Sequence, residues 1–512
     1  MTSALPRLGW VAAIDRERRV LSAWHGPSVE VTPDGIVEGV WSGDFQRGDF
    51  HEAEHFFGSG LRTVGEDVWL VPSSSTVDRL VVFETPTRVL ASNSLVSLLA
   101  FCDGRLDEDH DYMPEAFASN NDLASYQRRF PIVCPVPGKC YQVFQERVII
   151  DSQGMRFVNL HKPRDFSSFP EYLSALRKVV EELDNNLRSP GRKFDISKYS
   201  TISSGYDSPA VTTLVRDIGI EGCFSIGRSN SRIPKFLSKK AAVDDGSDIA
   251  DMLGVRTIRV EPPKRGQVDR DELDFLTVSA APSELAFYSV SRFFRPKKTV
   301  GVLFTGHHGG AIWGHRLVQT DGSVVVKGDF AGLNLSETRL NAGFIHVPIP
   351  AIYLWSAPAI YRISNSPEMS AWRVGGAYDR PIPRRILEEA GVPRELFGYR
   401  KKAVVQSYDR PFNRELGREF RTHVKASHGT GAALTAYARL QRVVAETASS
   451  LLQRAIRRLT RRDAVGRLGT YSLLSYHLFT WAVERSVAQR RGRMLDHDIL
   501  VGASETHDKW NG

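Results

Sequence analysis

Between residues 195 and 260 the chain alternates apolar, β-branched runs with segments of helical character. The predicted strands are "KFDISKYSTI", "GCFSIG" and "RTIRVE", and the predicted helices between them are "PAVTTLVRDIGI" and "SKKAAVDDGSDIADMLGV". Later, "TVGVLFTGHHGGAIWG" repeats the pattern as an apolar strand that ends in a glycine-rich turn. Strands that alternate with helices of this length predict parallel βαβ units, so we expect an α/β fold around a parallel sheet.

The first 160 or so residues have a different character. Short β-branched runs such as "VWLVPSS", "RLVVFET", "RVLASNS" and "KCYQVFQERVIIDS" are separated by turn residues and predict a β-rich region. From Phe169, "FPEYLSALRKVVEELDNNLRS" places its apolar residues on one helical face. A chain of 512 residues is too long for one ordinary core, and we expect two domains, residues 1–165 and 166–512.

Composition and charge limit the class of protein. With 42% hydrophobic and 25% charged residues, the composition is typical of a globular protein. The net charge of +8 is compatible with an acidic partner or a polyphosphate ligand.

The four cysteines show no CxxC spacing and predict neither a zinc site nor a disulfide framework. The N-terminus lacks the apolar core of a signal peptide, which favours a cytoplasmic location. The most apolar stretch, residues 344–361, contains three prolines and predicts a buried segment, not a membrane span.

A basic segment, "LLQRAIRRLTRRDAVGRLG", lies near the C-terminus and carries Arg454, Arg457, Arg458, Arg461 and Arg462. A solvated helix face is the favoured interpretation. The alternative is a docking surface for an acidic peptide, a carrier partner, a lipid headgroup or a nucleic acid. No DNA- or RNA-binding motif accompanies the segment, so we expect no nucleic-acid partner.

The stretch "TISSGYDSPA" is dense in turn-forming and polar residues. Its loop contains Ser203, Ser204, Gly205, Tyr206, Asp207 and Ser208. We expect a helix to begin at Pro209, with free N–H groups that favour an anion. Asp207 would repel phosphate directly, but it fits a Mg²⁺ ion held between the carboxylate and the phosphate. A capped turn without a ligand explains the same residues equally well.

Four ordered segments carry a resemblance to a known family. "SSGYDS" resembles the SGGxDS pyrophosphate loop of the asparagine-synthetase-like ATP pyrophosphatases, with Ser204 where that family usually has glycine. "CFSIG" and the segment after it resemble the family's next strand and helix, and "LFTGHHGGAIWG" resembles its SGxGxDxxFG turn. "YDRPIPRRILEEAGVPRELFGYRKKAVV" resembles the late segment that precedes RxK. The match covers roughly residues 165–410.

The resemblance implies ATP and Mg²⁺ as cofactors and assigns roles to individual residues. The implied nucleotide contacts are Ser203, Ser204, Gly205, Tyr206, Asp207, Ser208, Ile226 and Gly306. Asp207 is the implied metal ligand, and Lys402 occupies the position of the family's catalytic lysine. The implied fold is a parallel-sheet ATP-pyrophosphatase domain with a helical C-terminal part, preceded by an inactive, glutaminase-like (Ntn-type) remnant.

The implied reaction is ATP-dependent formation of an amide. A carboxylate is adenylated, AMP and pyrophosphate are released, and an amine receives the acyl group. Thr2 stands where the family's glutaminases have their nucleophilic cysteine. The β-lactam synthetases and lasso-peptide cyclases also lack this cysteine, and they use an amine of the substrate. We therefore expect a small-molecule or peptide substrate with a carboxylate and an amine, in peptide or natural-product biosynthesis.

One departure leaves alternatives open. By the same match, Gly310 and Ala311 stand where the family has an acidic residue that helps to hold Mg²⁺. The first alternative is that His307, His308 or the pair Asp244 and Asp245 compensate for the missing ligand, or that one metal ion suffices. Other adenylating chemistry, such as sulfur or ammonia transfer, is a second alternative. The third is a degenerate, non-catalytic nucleotide- or partner-binding homologue.

Overall fold

The computed structural model of the protein describes residues 4–121, 126–228, 243–280, 285–314, 330–375, 378–398, 410–428, 473–495 and 508–509.

Antiparallel strands dominate the chain before residue 160. They are β1 (Trp10–Asp15), β2 (Val20–His25), β3 (Glu30–Thr32), β4 (Gly35–Trp41), β5 (Phe56–Val64), β6 (Asp67–Val71), β7 (Leu80–Glu84), β8 (Arg88–Ser92), β9 (Arg105–Leu106), β10 (Ile132–Val133), β11 (Lys139–Val143), β12 (Arg147–Asp151) and β13 (Gly154–Val158). These strands confirm the predicted β-rich N-terminal region.

The later strands are β14 (Ile196–Thr201), β15 (Gly222–Ser225), β16 (Gly227–Arg228), β17 (Val243–Asp244), β18 (Thr257–Arg259), β19 (Val300–Thr305), β20 (Phe344–Pro348) and β21 (Asp508–Lys509). The helices are α1 (Leu95–Phe101), α2 (Met113–Asn121), α3 (Phe169–Leu187), α4 (Asp207–Val215), α5 (Ser247–Met252), α6 (Leu273–Leu276), α7 (Tyr288–Phe294), α8 (Gly309–Ile312), α9 (Phe330–Leu333), α10 (Ser336–Ala342), α11 (Ala357–Asn365), α12 (Pro381–Glu389), α13 (Arg414–His428) and α14 (Leu473–Leu495).

Two six-stranded antiparallel sheets build the N-terminal region. The first has the strand order β11-β7-β8-β1-β2-β21, and the second has the order β13-β12-β6-β5-β4-β3. Buried side chains of both sheets, such as Trp10 and Val82 of the first and Leu61 and Leu70 of the second, share one apolar cluster. The alternation of side chains along each strand thus places one face of each sheet in a common core.

The parallel sheet that the sequence predicts is present. Its strand order is β18-β15-β14-β19-β20, and every neighbouring pair is parallel. The chain moves from β14 to β15 and β18 on one side, and then to β19 and β20 on the other. The order of the strands therefore reverses between β14 and β19, which is where open parallel sheets usually bind ligands, at the carboxyl ends of the strands.

Helix α3 follows the predicted amphipathic pattern. Ser168 caps its N-terminus by accepting a hydrogen bond from the N–H of Glu171. Its buried face includes Leu176 and Leu183, which share a core with side chains of the second antiparallel sheet and of the parallel sheet. The helix therefore lies between the two β-rich parts of the molecule.

Two predicted helix bounds are wrong. Helix α4 begins at Asp207, two residues before Pro209. The helix predicted over residues 238–255 is shorter, because residues 243–244 form a strand and α5 begins at Ser247. The carboxylates of Asp244 and Asp245 bind neighbouring segments of the chain instead of continuing a helix.

Side chains of α10 enter the N-terminal region at a fully buried cluster of charges. The guanidinium of Arg339 donates to both carboxylate oxygens of Glu38, at 2.7 and 2.9 Å, and to Asp78 Oδ1 at 2.5 Å. Glu337 accepts hydrogen bonds from the hydroxyl of Ser94 and from the N–H of Leu95, both at 2.8 Å. This helix therefore fixes the parallel sheet to the antiparallel sheets.

The last described segments return to the N-terminal region. Phe479 and Val483 of α14 pack in the apolar cluster that covers α1, and β21 pairs with β2. The division at residue 165 stays a prediction. Both α14 and β21 lie after that residue but contact elements that precede it. None of the described helices combines the length and apolarity required to span a bilayer.

Candidate functional site

Two loops from distant parts of the sequence meet where the strand order reverses. One joins β14 to α4, and the other joins β19 to α8. A methyl group added to Gly306 would lie 2.7 Å from the backbone carbon of Asp207, and one added to Gly309 would lie 2.5 Å from its Cγ. The second loop therefore packs against the first turn of α4 with no space between them.

Hydrogen bonds hold the first loop in place. Ser203 Oγ accepts from the N–H of Gly205 at 3.1 Å and lies 3.0 Å from Ser208 Oγ. The N–H and the hydroxyl of Ser204 both donate to Asp244 Oδ1, at 3.1 and 2.8 Å. The loop is therefore organised by its own side chains and by the strand that precedes α5.

Burial divides the predicted contact residues into two groups. Ser204 and Tyr206 are buried, whereas Ser203, Gly205, Asp207 and Ser208 are half-buried. A side chain at Gly205 would meet only Ser203 Oγ, at 3.2 Å, and the hydroxyl of Tyr378, at 3.7 Å. The backbone at Gly205 is therefore open to a bound group, while the buried pair supports the loop from behind.

Tyr206 is part of that support. Its hydroxyl accepts a hydrogen bond from Arg384 of α12 at 2.6 Å, and its ring centroid lies 4.9 Å from that of Tyr378. Burial raises the pKa of Tyr206, although the guanidinium of Arg384 opposes this shift. The residue is a neutral phenol that links the loop to α12.

Tyr378 borders the carboxylate at the start of α4. Burial raises the pKa of Tyr378, and the negative charge of Asp207 raises it further. The phenol therefore stays protonated beside the carboxylate and keeps its hydrogen available for donation.

Arg380 supplies a positive charge at the same edge. Its guanidinium donates to the carbonyl of Gly310 at 2.5 Å and lies 3.4 Å from the carbonyl of Gly309. A methyl group at Gly310 would lie 3.3 Å from Nη2 of this arginine. Within the described part of the chain, no carboxylate forms an ion pair with Arg380, whose guanidinium contacts the carbonyls of the second loop.

The histidines of the second loop face the interior. His307 Nδ1 lies 3.2 Å from His346 Nε2 and 2.9 Å from Thr305 Oγ1, and His308 Nε2 lies 3.3 Å from Thr76 Oγ1. Burial holds the pKa of His346 well below its usual value, so this ring is neutral. These contacts join the loop to the N-terminal region and to β20.

Asp244 and Asp245, the carboxylates expected to compensate for the missing acidic ligand, both accept hydrogen bonds from other parts of the chain. Asp244 Oδ1 already accepts two hydrogen bonds from Ser204. Asp245 accepts from Arg259 at 2.8 Å, from the N–H of Ser247 at 3.0 Å and from the hydroxyl of Ser225 at 3.3 Å. Asp245 is therefore committed to holding the start of α5.

The remaining predicted residues belong to neither loop or lie outside the described ranges. Ile226 is half-buried and follows β15, whose carboxyl end lies beside that of β14. Lys402, Thr2 and the arginines between residues 454 and 462 lie outside the described residues, so their roles stay predictions.

The donor set fits Mg²⁺ bound together with a polyphosphate. Among the described residues, no group of three or more His, Cys, Asp or Glu side chains is placed to hold a metal ion. Mg²⁺ commonly binds through one or two carboxylates and takes its other ligands from phosphates and water. Asp207 can supply such a carboxylate, and the hydroxyls of Ser203 and Ser208 suit phosphate oxygens.

Sequence reasoning did not single out Tyr378 or Arg380, although both lie in the segment "YDRPIPRR". Their contacts connect residues far apart in the sequence, such as the 70 residues between Arg380 and Gly310. The one available signal was the presence of this segment among the four that resemble the family.

Comparisons with known proteins give little guidance. No protein-family model matches the chain, and no curated protein matches it. One solved structure that it resembles is a glutamine phosphoribosylpyrophosphate (PRPP) amidotransferase from B. subtilis complexed with ADP and GMP, at 10% identity. The match covers 68% of this chain and 86% of that chain, with a TM-score of 0.17. A TM-score this low supports no inference about fold or activity.

Proposed function

We propose that the protein is an ATP-dependent, AMP-forming ligase that joins a substrate carboxylate to an amine. The observation that carries the proposal is the contact between the two loops at the point where the strand order reverses. It brings the carboxylate of Asp207, the serine hydroxyls and the Arg380 guanidinium to one edge of the parallel sheet. The resemblance of four ordered segments to asparagine-synthetase-like enzymes supports the same proposal.

The first chemical step is the activation of the carboxylate. A carboxylate is a poor electrophile, and its attack on the α-phosphate of ATP gives an acyl-adenylate and releases pyrophosphate. Negative charge accumulates on the departing pyrophosphate, and the hydroxyls of Ser203 and Ser208 and the guanidinium of Arg380 are the donors that stabilise it. Asp207 would hold a Mg²⁺ ion, which would further neutralise the phosphates.

The second step is the attack of an amine on the activated carbonyl, which yields the amide and AMP. Stabilisation of the tetrahedral intermediate is assigned to Lys402. The amine is expected on the substrate, as in the β-lactam synthetases and lasso-peptide cyclases that the chain resembles. The substrate is therefore a small molecule or a peptide that carries both groups.

The first test is an analysis of products. The protein is incubated with Mg²⁺, ATP and a panel of amino-acid and peptide carboxylates, and the adenine products are separated. We expect AMP and pyrophosphate, and a decrease in turnover of roughly 100-fold or more in Asp207→Asn. Asp217→Asn is the matched control, because Asp217 follows α4, is exposed and pairs with the neighbouring Arg216.

A nucleotide-binding protein without turnover is the second candidate. It is favoured by Gly310, which offers only a backbone carbonyl, already bound by Arg380, on the side of the second loop. Under that alternative, ATP binds but neither AMP nor pyrophosphate appears with any substrate. Formation of ADP and phosphate in place of AMP and pyrophosphate would contradict the ligase proposal.

A further inference from the structure

Two cysteines far from the candidate nucleotide site lie in contact. Cys102 follows the last residue of α1, Cys134 follows β10, and their sulfur atoms are 3.3 Å apart. A methyl group added to Gly104 would lie 2.7 Å from the sulfur of Cys134 and 2.9 Å from that of Cys102. Both sulfurs therefore lie against the face of Gly104 that lacks a side chain, although 32 residues separate the two cysteines in the sequence.

The pair is accessible, whereas the other two cysteines are not. Cys102 and Cys134 are half-buried, and the residues that follow Cys134, 135–139, are exposed. Cys140 and Cys223 are only 3% and 0% exposed. A dissolved reagent can thus reach the pair without unfolding the sheet that buries Cys140.

The two thiols are not equivalent. The hydrogen bond with Cys102 lowers the pKa of Cys134, whereas burial and the carboxylate of Asp103 oppose this shift and the Arg491 guanidinium supports it. The same contact raises the pKa of Cys102, and burial adds to that increase. The thiolate is the reactive form of cysteine, so we expect Cys134 to attack first.

We propose that Cys102 and Cys134 form a dithiol that a hydroperoxide oxidises to a disulfide. The Cys134 thiolate attacks one oxygen of hydrogen peroxide, the O–O bond breaks, and the leaving hydroxide takes up a proton to form water. The Cys134 sulfur is then a sulfenic acid. The Cys102 sulfur attacks it, the S–S bond forms, the S–O bond breaks, and a second water leaves with the Cys102 proton. In total, two thiols and one peroxide give one disulfide and two waters.

The bond would form beside the contact between α1 and α14. Arg491 of α14 donates to the carbonyl of Gly104 at 2.7 Å and lies 3.0 Å from a carboxylate oxygen of Asp103. The disulfide would therefore tie the turn that Arg491 holds to the segment after β10. Because it closes a loop of 32 residues, the oxidised protein should unfold at a higher denaturant concentration than the reduced one.

The test uses the reduced full-length protein. After treatment with hydrogen peroxide and alkylation of the remaining thiols, peptide mapping without reductant should give one linked pair, Cys102 with Cys134. The linked pair of peptides should be about 2 Da lighter than the sum of the two reduced peptides, because two hydrogens are lost, and dithiothreitol should reverse the change. Cys140 and Cys223 should remain free thiols, so that the alkylating reagent modifies them equally in treated and untreated protein.

Two matched variants test the order of the steps. In Cys102→Ser, the Cys134 sulfenic acid has no partner, so it should accumulate and be captured by dimedone. In Cys134→Ser, Cys102 should give little or no dimedone adduct under the same conditions. Four free thiols after peroxide treatment of the wild type, a Cys134–Cys140 link, or preferential labelling of Cys102 would each overturn the proposal. The mapping of the wild type decides the pairing even where a variant fails to fold.

Discussion

At the scale of single residues, the site depends on how closely two glycines approach the start of α4. A side chain at Gly309 would overlap Asp207, whose Cγ lies 2.5 Å from the position of the added carbon. The neighbouring Gly310 has more room, because the nearest atom is the Arg380 guanidinium, at 3.3 Å. Both glycines belong to the same short helix. The pair therefore isolates the effect of the contact with Asp207.

We predict that Gly309→Ala destabilises the protein by about 1–3 kcal/mol through overpacking. Gly310→Ala adds the same methyl group to the same helix and should change the free energy of unfolding by less than about 1 kcal/mol. Denaturant unfolding of the two variants measures the difference. Equal stability of both variants would show that the loops do not pack as described.

Some of this site could be predicted from the sequence, and some could not. The pattern "TISSGYDSPA" after a strand located the loop, and the glycine-rich turn after "VGVLFT" located its neighbour. The role of Asp244 was not predicted, because its hydrogen bonds with Ser204 cross 40 residues and leave no local pattern. Arg380 escaped for the same reason.

At the scale of elements, α10 joins the parallel sheet to the antiparallel sheets through its charged residues. Arg339 is fully buried and shares its guanidinium between Glu38 and Asp78. Glu38 also accepts a hydrogen bond from the hydroxyl of Ser59 at 2.6 Å, so the cluster continues into β5. Removal of this guanidinium would leave two buried carboxylates without the cation that they share.

We predict that Arg339→Met destabilises the protein by about 3–5 kcal/mol, the usual cost of breaking a buried ion pair. Arg362→Met is the matched control, because Arg362 forms an exposed pair with Asp165 and the same change there should cost less than about 1 kcal/mol. Chemical denaturation gives both values. Similar losses at the two positions would contradict the account of α10.

The elements themselves were predicted unevenly. Strands with β-branched runs and the amphipathic helix α3 were predicted correctly, because local propensity and burial agree in them. The helix expected over residues 238–255 was wrong at residues 243–246, which precede α5. There, the side chain of Ser204 and the close approach of Gly246 to Ser203, 2.8 Å for an added methyl group, select an extended conformation.

At the scale of the whole molecule, the buried charges make stability depend on pH. Two carboxylates share one guanidinium, and burial raises the pKa of Asp78 to about 7. A folded-state pKa above the unfolded value means that the folded protein binds more protons between about pH 4 and 7. The free energy of unfolding therefore decreases as the pH rises through this window, and the decrease ends above about pH 7.

We predict that Asp78→Asn reduces this dependence by up to about 1 kcal/mol per pH unit between pH 5 and 7. Glu272, whose pKa burial also raises to about 7, should leave a smaller slope in both proteins. Denaturant midpoints measured from pH 5 to 8 provide the comparison. An unchanged slope in the variant would mean that Asp78 stays ionised throughout.

The central claim is that the two loops bind a magnesium–polyphosphate, and titration calorimetry with ATP tests it without knowledge of the carboxylate. We predict that the wild type and Asp217→Asn bind ATP only when Mg²⁺ is present, and that Asp207→Asn binds at least about tenfold more weakly. Binding that is independent of Mg²⁺ and equal in Asp207→Asn, or no binding by the wild type, would contradict the account.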